Sequence, residues 1–394
     1  LMANSYTNLI PTILTEALAV LRETAASVST VNSTYESDAK APGSSITIPV
    51  PVAQSVAAVT PANTPPANTD QTPTTVSIAL NHWHKTDFQM SDKDAREIAS
   101  GNYKNTQSAE SVRALANQND ADLFASAYDM VDNSQGVANH VGTAGTTPFA
   151  DTAALKAGWT AGARKLLNRG LSPSADRFVV LDEDAEAEAL SLSQFTNANE
   201  RGDQGGMVEG AIGQKLGATW LMNQNVPSFT GGTLTNGSGK LAKSNGVVAA
   251  GDTTVAIDDS SLSGTLVKGD VFTVAGDTGH YVCTGDDTAS GNAIAAVGFY
   301  PAARDGWADN AVITFAADHV LNLAYHRNAF GLVMAPAEAP DGVGGSIVER
   351  LTDPQTGVTL QLEISREYFQ TTWRFSMLYG VACIRPGLAC RILG

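Results

Sequence analysis

The densest group of side chains able to do chemistry is acidic. Asp182, Glu183, Asp184, Glu186 and Glu188 lie close together, and carboxylates at this density could bind a divalent cation. The same pattern is typical of a helix N-terminus, because the helix dipole favours negative charge in the first turn. No other segment has the ligand spacing of a calcium or magnesium loop. The pattern therefore favours the start of a helix over a metal site.

Two imidazoles form the second candidate. His82 and His84 flank Trp83, and residues two apart in a strand share a face. A zinc site needs at least one more ligand, and neither an HExxH motif nor paired Cys and His ligands supply one. We therefore expect no metal and no cofactor. A metal-dependent enzyme centred on these histidines remains an alternative, which elemental analysis would exclude.

The motifs of nucleotide binding and nucleophilic catalysis are missing from the sequence. The glycine-rich stretch from Gly210 to Gly217 departs from GxGxxG, and Gly237-Ser238-Gly239-Lys240 is followed by Leu241 rather than Ser or Thr. No GxSxG elbow is present. The tripeptide Arg201-Gly202-Asp203 is expected to be a turn. We expect no catalytic residue and no enzymatic activity.

Two of the three cysteines could pair. Cys383 and Cys390 flank Pro386-Gly387, and a two-residue hairpin there would place them opposite each other. L-proline favours turn types other than those of tight hairpins, which weakens this geometry. A reducing compartment would also keep them as thiols. Free thiols are favoured, and the disulfide stays open as the alternative.

Composition limits the class of protein. The chain has 394 residues, of which 43% are hydrophobic and 16% charged, with a net charge of −16. Such an acidic balance argues against a nucleic-acid reader, which needs a basic face. Three cysteines exclude a disulfide scaffold. No apolar run is long enough for a membrane span, and the N-terminal stretch lacks the basic start of a signal peptide.

The N-terminal third predicts a helix followed by a long hairpin. Apolar residues from Ile10 to Leu21 follow helical spacing, with Pro11 in the first turn. Alternating strands are expected at residues 45–52 and 74–84, around a proline-rich tip. Asp70 is the one charged residue between Ala41 and His84. An uncharged hairpin with open edges invites aggregation, so we expect another chain to cover it.

The rest of the chain predicts an α+β fold with a β-rich insertion. Helices are expected at residues 105–131 and 151–169, the latter capped by Asp151, and again from Asp182. Between residues 230 and 318, short strands alternate with Gly-Asp turns, which indicates a small antiparallel barrel or sandwich. The expected strands are 177–181, 253–257, 270–274, 281–284, 293–297, 312–315, 320–323, 330–334, 358–364, 372–379 and 382–384.

The order of these segments resembles the major capsid proteins of tailed bacteriophages. The N-terminal arm begins Met2-Ala3-Asn4-Ser5-Tyr6, and the uncharged hairpin opens at Ser45. The most specific stretches are Lys268-Gly269-Asp270 within the insertion and the ending from Leu378 to Pro386. The sequence is most similar to the coat-protein subgroup of short-tailed Salmonella phages, which carries an insertion domain.

The resemblance implies a Hong Kong 97-type capsid fold with a β-barrel insertion. It places the N-terminal arm at residues 1–43, the extended loop at 44–84, and the peripheral domain with its spine helix at 85–150. The axial domain would comprise residues 151–229 and 319–394, with the insertion at 230–318.

The implied function is a shell subunit in the virion, assembled in the host cytoplasm. Expected partners are copies of the same chain in pentamers and hexamers, a scaffolding protein, a portal, and packaged DNA bound without sequence specificity. A secreted or surface β-rich binding protein is the alternative. The residues expected at subunit interfaces are Ile13, Leu14, Leu18, Ile46, Ile48, Val50, Val76, Ile78 and Trp83.

Overall fold

A computed structural model describes residues 17, 27–33, 45–50, 56, 58–59, 61, 73–93, 106–127, 130, 139–170, 172–197, 210, 212–337, 347–352 and 359–394. They fall into two units. The hairpin unit takes its residues from Leu1–Val20, Ser33–Leu115 and Gly331–Ile384. The barrel unit takes them from Leu21–Asn32, Ala116–Phe330 and Arg385–Gly394. Helix and strand are mixed, as expected for an α+β protein.

The predicted hairpin is present. Strands β1 (Ser45–Val50) and β2 (Thr74–Ala79) pair antiparallel in an unbroken register. The expected continuation of the second strand to residue 84 is wrong. The strand ends at Ala79, and β3 (His82–Ser91) is a separate strand that pairs with a distant C-terminal strand.

The long helix is confirmed as α1 (Thr106–Ala125), whose 20 residues span roughly 30 Å at 1.5 Å per residue. The apolar stripe that predicted it is buried along its length, from Val112 through Leu115 and Ala116 to Leu123. Burial of that stripe is what stabilises a helix with otherwise polar faces.

The next segment contains the predicted helix after residue 151, but it is not regular. The side chain of Asp151 accepts a hydrogen bond from the backbone N–H of Ala154, 2.6 Å away, so the predicted cap is confirmed. The backbone departs from helical geometry at Gly162. The elements are β4 (His140–Gly142), α2 (Thr152–Leu155), a π-helical segment (Lys156–Ala163), α3 (Arg164–Arg169), β5 (Arg177–Leu181), α4 (Glu183–Ser191), α5 (Ser193–Thr196), β6 (Gly213–Lys215), β7 (Ala218–Met222) and β8 (Ser228–Phe229).

The insertion is a closed six-stranded barrel, in the order β10-β15-β13-β12-β16-β9. All five strands expected here are present. The sixth strand, β9, contains only two apolar residues, so its hydrophobic alternation was too short to predict a strand. Its pairing with β10 and β16 closes the barrel. The strands are β9 (Leu241–Ser244), β10 (Thr254–Asp258), β11 (Thr265–Leu266), β12 (Val271–Val274), β13 (His280–Cys283), β14 (Asp287–Thr288), β15 (Ala293–Tyr300) and β16 (Val312–Phe315).

The C-terminal strands divide between two sheets. In the barrel unit a sheet has the order β4-β22-β17-β5-β7-β6, with β8 paired to β17. In the hairpin unit a sheet has the order β18-β21-β20-β19, with β3 paired to β21. The strands are β17 (His319–His326), β18 (Phe330–Ala335), β19 (Ile347–Thr352), β20 (Thr359–Arg366), β21 (Gln370–Cys383) and β22 (Ala389–Leu393).

The C-terminal strands are shared between the two units. Residues Gly331–Ile384 belong to the hairpin unit, where β18 to β21 pair with one another and with β3. The expected axial domain, with all of residues 319–394, stays a prediction. Pro386–Leu388 form a 3-10 turn, and Cys283, Cys383 and Cys390 form no disulfide. Among the described residues, no helix is long and apolar enough to cross a membrane.

Candidate functional site

The inner face of the β1–β2 hairpin is buried within its own unit. Ile46, Ile48 and Ile78 form one apolar cluster, in which Ile78 is 0% exposed. The cluster also includes Val333 and Ala335 of β18 and Ile384, which directly follows β21. One face of a two-stranded hairpin must be covered for the hairpin to be stable in water, and β18 and β21 cover it.

Close backbone approach explains how the hairpin lies on β21. A Cβ atom added to Gly380 would lie 2.3 Å from the carbonyl oxygen of Ala79. Glycine is therefore required where the end of β2 passes over β21. This contact joins the hairpin to the sheet through backbone as well as side chains.

This packing corrects the expectation that the hairpin finds all its burial in another chain. Ile46, Ile48 and Ile78 are already buried in the single chain, because β18 and β21 supply an apolar surface that local sequence could not reveal. Val50 and Val76 are only half-buried. The expected interface role of these residues stays a prediction. Ile13, Leu14 and Leu18 lie outside the described residues.

The outer surface of the hairpin unit exposes large aromatic side chains. Trp83 is 69% exposed on β3, opposite Leu378 of β21. Tyr368 is 89% exposed at the turn between β20 and β21, where its ring packs edge-on against that of Phe369, with centroids 4.5 Å apart. Large aromatic side chains are enriched among the residues that contribute most to binding at protein interfaces.

The sequence pattern identified Trp83 but missed Tyr368 and Phe369. A turn between two strands ordinarily carries polar residues. Two adjacent aromatic residues in such a turn are therefore the sequence signal that could have identified them. Phe369 adopts a φ of +53°, which is uncommon for a bulky residue. The turn therefore holds both rings away from the sheet.

The two histidines of β3 pack on a tyrosine. The ring of His82 stacks on that of Tyr379, with centroids 5.3 Å apart, and the ring of His84 lies 5.8 Å from it. Both imidazoles lie on the opposite face of β3 from Trp83, as strand alternation requires. Both imidazoles therefore make aromatic contacts with Tyr379 of β21.

The acidic group occupies a helix N-terminus, as predicted. Glu183, Asp184 and Glu186 lie in the first turn of α4, directly after Asp182. The backbone N–H of Asp182 donates to Oδ1 of Asn322, 2.7 Å away. The first turn is where the helix dipole favours negative charge. At Glu186, burial acts in the opposite direction and raises the pKa.

A buried carboxyl group holds Ser27 against the rest of the barrel unit. Ser27 Oγ donates to Oδ1 of Asp120, and Asn223 Nδ2 donates to its Oδ2 over 2.8 Å. Burial raises the pKa of Asp120 to about 6, although both hydrogen bonds oppose this shift. The hydroxyl groups of Thr30 and Tyr325 are 2.7 Å apart nearby. No sequence motif marks this contact, because its members are distant in the chain.

Comparison with known proteins identifies the fold. No protein-family model matches the sequence, and no curated protein matches it. The chain is similar to a chain in a structure of Mycobacterium phage Che8, with a TM-score of 0.50 and 18% identity over 92% of this chain and 89% of that one. This match shows a shared fold over nearly the whole chain.

Two further structures match at lower similarity. The capsid structure of cyanophage P-SCSP1u gives a TM-score of 0.47 and 15% identity over 92% of this chain and 84% of that one. The mature capsid of bacteriophage PhiM1 gives a TM-score of 0.46 and 10% identity over 90% of this chain and 82% of that one.

Proposed function

We propose that this chain is the major capsid protein of a tailed bacteriophage, many copies of which form an icosahedral shell around packaged DNA. The observation that carries the proposal is the fold shared with a chain of the Mycobacterium phage Che8 structure across 92% of this sequence. The order of segments in the sequence, from the N-terminal arm to the Leu378–Pro386 ending, independently resembles tailed-phage coat proteins.

The finer part of the proposal is a Hong Kong 97-type fold with an insertion domain, similar to coat proteins of short-tailed Salmonella phages. In this assignment β1–β2 is the extended loop, α1 the spine helix and the barrel the insertion domain. Strand pairing supports the insertion: the chain leaves the sheet at Phe229 and returns at His319, and these two residues lie opposite each other. A module between adjacent strand ends can be inserted without disturbing the sheet.

The proposed partners of the chain are further copies of itself, a scaffolding protein, a portal and the packaged DNA. Trp83 is the proposed anchor between copies, because a large exposed aromatic ring gains most when a partner covers it. The net charge of −16 disfavours strong general binding of DNA to the shell, since like charges repel.

Electron microscopy of the full-length chain, expressed alone and with its genomic neighbours, tests the shell function. We expect closed shells in at least one condition. A compact chain that stays a single unit at every concentration, with and without those neighbours, would contradict the proposal.

The variant Trp83→Asp tests the anchor separately. It should fold with unchanged thermal stability but form few or no shells, because a carboxylate would be buried at the contact. Lys85→Ala, on the same exposed face of β3, is the matched control and should assemble normally. Normal shells from Trp83→Asp would remove Trp83 from the interface while leaving the shell function standing.

Maturation of the shell is proposed to be noncovalent. Residues 41–84 contain no lysine, so the extended loop has no amine with which to cross-link a neighbour. Particles boiled in detergent should give one band at the mass of a single chain. A ladder of heavier bands would refute this part of the proposal.

A further inference from the structure

Three histidines and an arginine meet where the barrel joins its sheet. We call His140, His280, His319 and Arg391 the joint cluster. His140 lies on β4 and Arg391 on β22, both in the sheet, whereas His280 belongs to β13 of the barrel. His319 is the first residue of β17, directly after the barrel returns to the sheet. Arg391 is 0% exposed, and His140 and His319 are also buried.

The cluster joins strands of the sheet to a strand of the barrel. The rings of His140 and His280 stack with centroids 5.0 Å apart, which joins the sheet to the barrel. The ring of His319 packs against Phe229, 5.4 Å away, at the place where the chain enters the barrel region. Imidazole rings therefore contribute to the contacts at this joint.

Hydrogen bonds define the protonation state of His319. Its Nδ1 lies 2.9 Å from the carbonyl oxygen of Ala317, which only accepts, so Nδ1 carries the hydrogen. Its Nε2 lies 3.3 Å from the Nη2 atom of Arg391, which only donates, so Nε2 must be the acceptor. The neutral ring satisfies both neighbours.

A second proton has no favourable place on this ring. It would have to bind Nε2, where it would remove the hydrogen bond from Arg391 and set two buried cations side by side. Coulomb repulsion at such a distance is strong in a poorly solvated site. Neither ring nitrogen of His140 has a hydrogen-bond partner among the described residues, so a charge on that ring would be uncompensated as well.

The surrounding charges oppose protonation of the cluster. Arg391 faces all three imidazoles, and Lys240 adds positive charge near His319. Asp318 favours the charged form of His319, but its carboxylate already pairs with Lys240 at 3.0 Å. Burial, with Arg391 as a further cause, lowers the pKa of His140 well below its usual range and lowers the pKa values of His280 and His319.

We propose that the joint cluster is a pH-sensitive joint, in which neutral imidazoles hold the barrel on the sheet and protonation in mild acid releases it. A cavity of about 200 Å³ beside the joint leaves room for such movement. Barrel residues His280, Phe272 and Phe315 line it on one side, and Thr143 and Leu393 line it on the other. The proposal does not depend on the shell function.

The direction of the pH effect follows from linkage. The pKa values of these imidazoles are lower in the closed joint than their ordinary value of 6.5, which they regain when it opens. The open joint therefore binds more protons as the pH falls below 6.5, and the closed joint loses stability. Asp120 acts with the opposite sign: its raised pKa, about 6, favours the folded state as the pH falls towards 4.

Hydrogen exchange of the full-length protein, followed by mass spectrometry at about pH 7 and about pH 5, tests the joint. After correction for the intrinsic pH dependence of exchange, peptides covering residues 139–142, 280–283 and 316–320 should exchange faster at about pH 5 than at about pH 7. One histidine with an open-state pKa near 6.5 gives up to about a 25-fold increase in opening. The peptide covering Thr254–Asp258 in the barrel wall should change much less.

His319→Gln separates the joint from a general effect of acid. The amide can still accept from Arg391 and donate to Ala317, but it does not titrate, so the share of the acid response that comes from His319 should be lost and the total response should fall clearly. His326→Gln is the matched control, because His326 lies on the same strand, outside the cluster, with a pKa that burial also lowers. It should keep the joint's response.

Two outcomes would overturn the proposal. The first is equal corrected exchange of the three joint peptides at both pH values in the unaltered protein. The second is a full acid response in His319→Gln. If that variant fails to fold, His280→Gln at the half-exposed end of the cluster takes its place, and an undiminished response there counts against the joint equally.

Discussion

The barrel and the β1–β2 hairpin are both antiparallel β structure, yet they cover their apolar faces in different ways. The barrel closes on itself, so its strands have partners on both sides and its apolar side chains meet inside. The hairpin has two strands, and its apolar face is covered by strands more than 250 residues away in the sequence, around Val333 and Ile384.

The two cores also differ in their side chains. In the barrel, the ring of Phe272 contacts the rings of Tyr281, Phe299 and Phe315 at centroid distances of 5.4 to 5.8 Å. The hairpin cluster is aliphatic and thin. Local opening costs less free energy where few apolar contacts are buried. The hairpin should therefore open more readily than the barrel.

The largest expected effect is in the barrel. Phe272→Ala should lower the free energy of unfolding by about 3–5 kcal/mol, because it leaves a cavity among the rings of Tyr281, Phe299 and Phe315. Thermal and denaturant unfolding followed by circular dichroism measure the loss. Tyr368→Ala, which removes an exposed ring, is the control and should change little. Equal effects for both would show that the barrel core is not where its stability resides.

The second prediction weakens the hairpin contact. Ile78→Ala should destabilise hairpin docking by about 2–4 kcal/mol. Hydrogen exchange should then rise in Ser45–Val50 and Thr74–Ala79 but not in the barrel. Val76→Ala, half-buried on the same strand, should have a clearly smaller effect. If the two variants behave alike, the face around Ile78 does not hold the hairpin.

The third prediction adds atoms instead of removing them. Gly380→Ala should destabilise hairpin docking by about 1–3 kcal/mol, because its methyl group would collide with the backbone of Ala79. The same exchange measurement on β1 and β2 detects the displacement. Unchanged exchange in both strands would mean that the hairpin does not need this close approach.

The smallest expected effect has the opposite sign. Gly285 lies in a barrel loop with nothing within 4 Å of an added Cβ atom. Gly285→Ala should therefore stabilise the protein by about 0.4–1 kcal/mol, since it restricts the unfolded chain without a clash. Thermal unfolding followed by circular dichroism should show a small rise in the midpoint temperature. A fall as large as that of Gly380→Ala would erase the distinction between the two regions.

Local pattern predicted much of the secondary structure, and distant pairing accounts for what it missed. The stripe from Val112 to Leu123 predicted α1, and alternation with Gly-Asp turns predicted five barrel strands. β3 was joined to β2 because residues 74–84 read as one alternating stretch. The break between Ala79 and His82 arises because β3 pairs with β21.

The candidate sites also divide into those that local sequence predicted and those that it missed. Trp83 and the acidic start of α4 were predicted from the types of neighbouring residues and their spacing. The joint cluster was not, because His140, His280, His319 and Arg391 belong to four separate strands and no local motif links them.

Sequence alone determined the elements whose signal is periodic over adjacent residues: the hairpin pair, the long helix, most of the barrel and the insertion between two runs of sheet. Tertiary structure decided which surfaces meet, placing Ile78 against β18 and β21 and Arg391 against His319. The physical reason is that hydrophobic periodicity shows which face is buried, while the identity of the burying surface depends on contacts between residues far apart in the chain.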